Sequence, residues 1–192
     1  MSGELKITKK FIAFFFGGII LAVFLGIVAG QYFNEWRMKQ AQEKLMKENP
    51  PTTLKEGDII PNFTFATLDG KEEGIYQLLQ YDKAVLMFMS INCGFCAKEI
   101  EKWKAEMATL PEDVQLIGIS ADSLSKLVSF SQEKQISFPL LCDMAGKFFE
   151  QYQIKSFPVL VLVNQNKKVV KIMSGYDPKT KVKDYVKTLA MK

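Results

Sequence analysis

Between Phe11 and Gly30 the chain runs without a single charged residue, and this stretch constrains its possible structures more than any other segment. A helix rising about 1.5 Å per residue would carry it about 30 Å, the thickness of a bilayer's hydrocarbon core. Two other readings compete with a transmembrane anchor. One is a buried core helix. The other is a cleaved signal peptide, with Lys6, Lys9 and Lys10 as its basic start and Val28-Ala29-Gly30 as a tolerable cleavage sequence. Signal h-regions usually run about 7 to 15 residues, and no lipoprotein-type cysteine follows this longer run, so a retained anchor over residues 11–30 is expected.

Three lysines precede the run and four basic residues fall between Gln31 and Asn49. The lysines sit against the apolar segment, whereas the first basic residue after it is Arg37, with Glu35, Glu43 and Glu48 interspersed. The positive-inside rule then places the short basic tail, residues 1–10, in the cytoplasm. The globular part falls outside it, in the periplasm or at the outer surface, where disulfide chemistry is normal. Residues 31–56 read as a polar juxtamembrane helix and linker, the helix being stopped by Pro50 and Pro51. Residues 57–192 remain for one globular domain.

Of 25 basic and 21 acidic side chains, seven and four lie in residues 1–50, leaving 18 against 17 beyond. A near-neutral domain offers phosphates no strong field, so no nucleic-acid partner is expected. At 48% hydrophobic and 12% aromatic the chain can form a core without a disulfide framework.

Past Pro51, short β-type runs alternate with helical ones, the pattern of an α/β domain. Strands are expected at Phe63–Leu68, Ala84–Met89, Val114–Ile119, Phe138–Leu141, Val159–Val163 and Val169–Met173, with a turn at Asp69-Gly70. Helices are expected from Cys93, over Leu124–Lys134 and Ala145–Tyr152, and after Pro178.

The chemistry gathers at Cys93-Gly94-Phe95-Cys96, where a strand hands over to a helix. Residues three apart on a helix share a face, so the two sulfurs can close a disulfide across the first turn. Cys93 takes the open end, where unpaired N–H groups and the helix dipole favour a thiolate, the form that attacks disulfides. Ile100, Trp103 and Met107 continue the stripe of Cys96, which makes Cys96 the buried, resolving thiol and Cys93 the exposed nucleophile. A structural zinc site normally needs four Cys or His ligands, but the chain has three cysteines and no histidine, so no metal is expected. Covalent haem attachment needs His where Ala97 stands. A purely structural disulfide stays open.

Pro61-Asn62-Phe63 with Asp69-Gly70-Lys71, Phe138-Pro139 with Asp143, and Tyr152-Gln153-Ile154 before Phe157-Pro158 together resemble the TlpA/ResA-like branch of thioredoxins, membrane-anchored thiol-disulfide oxidoreductases. The resemblance covers about Gly57 to Lys192. It implies a thioredoxin-like fold: a central mixed sheet flanked by helices, with an N-terminal hairpin and a central insertion. It implies a cis Phe157–Pro158 bond facing the cysteine pair, so that Phe157 and Pro158 shape the substrate groove. Gly94 and Phe95, the dipeptide between the cysteines, would tune the potential. The chain departs from the branch at Asn92 in place of Trp, at Phe95 in place of Pro and at the bulky Phe157. No carboxylate falls within Ala84–Met89, where thioredoxins bury one for proton transfer, so no general base is assigned; Lys98 and Glu99 read as a solvated helix face.

The resemblance implies a reductase of disulfides in exported proteins, of the cytochrome c or copper-site maturation type, re-reduced by a membrane thiol electron carrier. No cofactor is expected. The same site could run as an oxidase or isomerase, since potentials of about −270 mV and about −120 mV occur on this one fold. A thiol peroxidase is disfavoured because Arg37 is the only arginine, and a copper-binding assembly module because no histidine completes a site. Cys142, ending an apolar run, reads as a buried inert thiol, with a third redox partner or an intermolecular bridge as the alternatives.

Overall fold

A computed structural model of the protein describes residues 9–48 and 50–190. Its internal contacts divide the chain into two units, Met1–Pro50 and Pro51–Lys192.

In the first unit a single helix, α1 (Lys9–Glu48), runs for 40 residues, about 60 Å at helical rise. The run Phe11–Gly30 lies wholly inside it. Within α1 the stretch Gly17–Met38 is long and apolar enough to cross a bilayer, with mean hydropathy 1.6 and none of it buried. The separate helix expected over 31–49 is α1 continued, because Gln31–Glu48 is rich in helix formers and meets no proline before Pro50. Tyr32, Phe33 and Trp36 are exposed just past the apolar run, where aromatic rings sit at headgroup level in membrane helices. Lys9 and Lys10 open α1, while Lys6 and the rest of the tail over 1–8 lie outside the described residues.

The second unit is built on seven strands among the described residues: β1 (Thr64–Thr67), β2 (Glu72–Gly74), β3 (Lys83–Met89), β4 (Val114–Ser120), β5 (Leu140–Cys142), β6 (Val159–Val163) and β7 (Val169–Ser174). They form one sheet in the order β2-β1-β5-β4-β3-β6-β7. β3, β4 and β5 run parallel, and the other pairings are antiparallel. Around them lie α2 (Ile75–Leu78), α3 (Gly94–Glu106), α4 (Leu124–Glu133), α5 (Lys147–Gln151) and α6 (Val182–Ala190). α4, β5 and α5 stand between β4 and β6, the place of the central insertion.

Every residue of β3 from Ala84 to Met89 is buried, so both faces of the strand need cover. Its two-residue period sorts the core into two layers. Val85, Met87 and Met89 pack with Cys96, Ile100 and Trp103 of α3, Leu127 of α4, and Tyr185 and Leu189 of α6. Ala84, Leu86 and Phe88 face Ile75 of α2 and Phe148 and Phe149 of α5. The Phe88 and Phe148 rings stack at 5.2 Å.

In the second unit, three differences from the sequence-based expectation bear on the fold. β5 begins at Leu140, not Phe138, because Pro139 has no N–H for the ladder; its carbonyl accepts from Gly118 N–H at 2.9 Å. β2, which reads Glu-Glu-Gly, is a charged edge strand that β1 returns through the turn at Gly70, whose φ of +84° suits glycine. The single-turn α2 follows, with Gly74 N–H donating to Gln77 Oε1 at 3.1 Å and Tyr76 N–H to Asn62 Oδ1 at 3.0 Å.

Candidate active site

β3 ends at Met89, and the turn Ser90–Asn92 delivers the chain to Cys93, the residue that caps α3. Cys93 N–H donates to Ser90 O at 3.1 Å and closes that turn. With φ −92° and ψ 108°, Cys93 is extended, and its sulfur folds back over the helix start. There Sγ accepts the Cys96 N–H at 3.1 Å, the bond a polar N-cap side chain makes to an unpaired amide of the first turn. The Cys93 sulfur thus lies at the amino end of α3, against an amide donor of its first turn.

The three cysteines are free thiols, with Cys93 half-buried and Cys96 and Cys142 buried. Burial pushes the Cys96 thiol well above its ordinary value, and its hydrogen bond with Cys93 adds to the effect. At neutral pH Cys96 therefore keeps its proton. The two sulfurs sit in environments suited to attack at Cys93 and delayed resolution at Cys96.

β6 runs antiparallel to β3 with Val159 opposite Phe88, which brings the residues before β6 to the end of β3. The Phe157–Pro158 bond is cis. The Cys93 thiol donates to Phe157 O at 3.6 Å, and Gly175 N–H donates to Pro158 O at 2.8 Å. The bulky Phe157 ring turns inward, 5.9 Å from the Phe149 ring, so the chain meets the cysteine through the Phe157 carbonyl. Gly94 and Phe95 both face outward, with Phe95 58% exposed beneath the Lys98 ammonium, 5.5 Å from the ring centre. The fold thus brings Cys93, Cys96, Phe157 and Pro158 together and sets Gly94 and Phe95 on the rim.

Lys98 is exposed, as a solvated helix face requires, but Glu99 is fully buried. Glu99 shares the stripe of Cys96, Ile100 and Trp103, at the spacing that faces the sheet. Its carboxylate is held on three sides. Trp103 Nε1–H donates to Oε1 at 2.9 Å, Tyr185 O–H donates to Oε1 at 3.4 Å, and the Lys102 ammonium lies 2.7 Å from Oε2. Burial and the neighbouring Glu99 charge push the Tyr185 phenol well above its ordinary value. Glu99 thus places a buried carboxylate one turn past Cys96, where β3 supplies none.

Cys142 is fully buried at the end of β5, and its thiol donates to Asp122 O at 3.2 Å. Burial, then the Asp143 and Asp122 charges, raise it above the ordinary thiol range. Asp143 caps α5, accepting Phe148 N–H at 2.8 Å and Phe149 N–H at 3.1 Å.

The model of the AhpC/TSA family matches residues 57–172. The thiol-disulfide oxidoreductase ResA of Bacillus thuringiensis subsp. konkukian is 23% identical over 173 residues, spanning 89% of this chain and 93% of its own. Among solved structures, StoA from Bacillus subtilis superposes with a TM-score of 0.56 at 20% identity, over 67% of this chain and 99% of its own. The peroxidoxin BcpB from Mycobacterium tuberculosis superposes with a TM-score of 0.60 at 22% identity, over 71% and 95%. At these identities the structural likeness shows the fold, which is thioredoxin-like with an N-terminal hairpin and an insertion before β6.

Proposed function

We propose, from the premise that this chain belongs to the AhpC/TSA family, that it is a membrane-anchored thiol-disulfide oxidoreductase working through Cys93 and Cys96. The observation that carries the reading is the Cys93 sulfur. It caps α3, accepts the Cys96 N–H at 3.1 Å and stands beside the Phe157 carbonyl, while the second thiol is buried one turn in. The relatives named ResA support the same activity.

In the reducing direction the Cys93 thiolate attacks one sulfur of a substrate disulfide. The substrate S–S bond breaks, a Cys93–substrate mixed disulfide forms, and the leaving sulfur takes up a proton. Cys96 then gives up its proton and attacks Cys93 Sγ. The substrate leaves as a dithiol, and the two electrons it has gained leave Cys93 and Cys96 as a disulfide. A dithiol carrier in the membrane returns the pair to its reduced state by the same exchange.

The substrates are proteins bearing cysteine pairs or disulfides, of the kind met in cytochrome c or copper-site maturation outside the cytoplasm. Phe157 and Pro158 form the wall against which the substrate chain lies, and Gly94 and Phe95 set the potential from the rim. α1 anchors the chain through residues 11–30 with the amino terminus in the cytoplasm, and Lys9 and Lys10 at its start support that orientation. Residues 57–192 act as the catalytic domain. A peroxidase of this family needs an arginine beside its thiolate, whereas the one arginine of the chain, Arg37, lies in α1.

The reduction potential of the Cys93–Cys96 couple tests the direction of flow. In the detergent-solubilised full chain, a value near that of thioredoxin, about −270 mV, supports the reductase; one near that of DsbA, about −120 mV, assigns the oxidase direction instead.

A further inference from the structure

We propose that Asp122 is a positioning residue for disulfide exchange, its carboxylate fixing the turn that aims the Cys93 sulfur; the proposal rests on the reading of Cys93 and Cys96 given above. Three parallel strands end side by side at this edge of the sheet, with Met89 of β3 opposite Ser120 of β4 and Ser120 opposite Cys142 of β5. Asp122 follows Ser120 by two residues and bonds to what lies at or beyond each of the three ends. Its Oδ2 accepts the Ile91 N–H at 2.9 Å and the Ser120 hydroxyl at 2.8 Å. Its own N–H donates to Ser120 Oγ at 3.1 Å, and its carbonyl accepts the Cys142 thiol at 3.2 Å.

Ile91 is the second residue of the turn that Cys93 N–H closes on Ser90 O. A bond from the Ile91 amide to a carboxylate is charge-assisted, about twice as strong as a neutral one. It is made from the loop just past β4, outside the turn, and so fixes the turn against the end of the sheet. Ser120 is buried and holds the carboxylate from behind. Downstream of this anchor, Sγ of Cys93 meets the Cys96 N–H at 3.1 Å, a contact that depends on where the turn leaves the chain. A carboxylate near a thiol would by its charge alone disfavour the thiolate. Its positioning effect has the opposite sign, and the two can be told apart.

The experiment uses the full chain in detergent micelles and compares Asp122→Ala and Asp122→Asn with wild type. One readout is the pH midpoint of Cys93 alkylation. The other is kcat and KM for reduction of a disulfide-bonded peptide. Asp122→Ala frees the turn and weakens the Cys96 N–H contact, so the midpoint rises by about half a unit or more and kcat falls about tenfold with KM within about threefold. In Asp122→Asn the amide oxygen accepts the same Ile91 N–H, so the midpoint stays or falls and kcat returns to within about threefold of wild type. A midpoint that falls or stays in Asp122→Ala, with kcat retained, overturns the proposal. Should Asp122→Ala not fold, hydrogen exchange of the Ile91 amide decides: protection in wild type and in Asp122→Asn supports the anchor, and free exchange in wild type overturns it. If wild type reduces no disulfide at all, the oxidoreductase reading fails instead.

Discussion

The Trp103 indole N–H donates to Glu99 Oε1 at 2.9 Å, holding a carboxylate in the core one turn along α3 from the Cys96 thiol. Cys96 and Glu99 are three residues apart and share a helix face. Cys96 must lose its proton to resolve the mixed disulfide, and the Glu99 carboxylate on the same helix face is expected to assist that step. In Glu99→Gln the amide oxygen can still accept from Trp103, but the NH2 then faces the Lys102 ammonium that Oε2 holds at 2.7 Å, so some stability is lost, while resolution should slow about a hundredfold, the lower end of a positioned acid–base contribution. Attack by Cys93 stays within about threefold of wild type. Rapid-quench separation of mixed disulfide from released dithiol measures both steps. Glu99→Ala instead removes the counter-charge of Lys102, leaving the ammonium its neutral acceptors Asp177 O, Thr180 O and Tyr185 Oη, and should cost about 3 kcal/mol in urea unfolding.

A second prediction concerns alkaline pH. Burial raises Cys96 and Tyr185 above the ordinary values of 9.0 and 10.0. A group that binds its proton more tightly when folded contributes fully below its unfolded pKa, and that contribution is lost as pH climbs toward the folded value. The reduced protein should therefore lose stability from about pH 9 for Cys96 and further from about pH 10 for Tyr185. With the pair oxidised, Cys96 has no proton to lose, so the decline should be shallower, with Cys142 and Tyr185 still contributing. Urea midpoints of both forms across this window check it, and equal decline in the two forms would contradict it.

The redox pair was legible because its spacing alone sets two sulfurs on one helix face, and β3 and β6 because buried parallel or central strands read as unbroken apolar runs. β2 carries no apolar residue and forms because β1 returns it, so no local pattern marks it. Glu99 was misread as solvated, although it falls on the stripe of Cys96, Ile100 and Trp103. The groups that make its burial tolerable include Tyr185, 86 residues further on. Asp122 was not singled out for the same reason: Ile91, whose amide it accepts, lies 31 residues earlier. Contacts brought together by folding carry no signature in a short window.

The orientation of α1 gives a third prediction. If, as proposed, Lys9 and Lys10 lie on the cytoplasmic side, the half-buried Cys93 sulfur should be reachable from the exterior. A membrane-impermeant maleimide applied to intact cells producing the full chain should label wild type and leave Cys93→Ser unlabelled. Labelling that appears only after lysis would reverse the topology.

Trapping the mixed disulfide tests the central assignment most directly. In Cys96→Ser the Cys93 thiolate can still attack, but no internal thiol completes the exchange, so the substrate stays attached. Incubated with a disulfide-bonded substrate protein and run without reductant, Cys96→Ser should give a reductant-sensitive adduct at the summed mass, joined through Cys93 by peptide mapping. Cys93→Ser and the double variant should give none. An adduct through Cys96 or Cys142, or equal adduct in Cys93→Ser, would contradict the account.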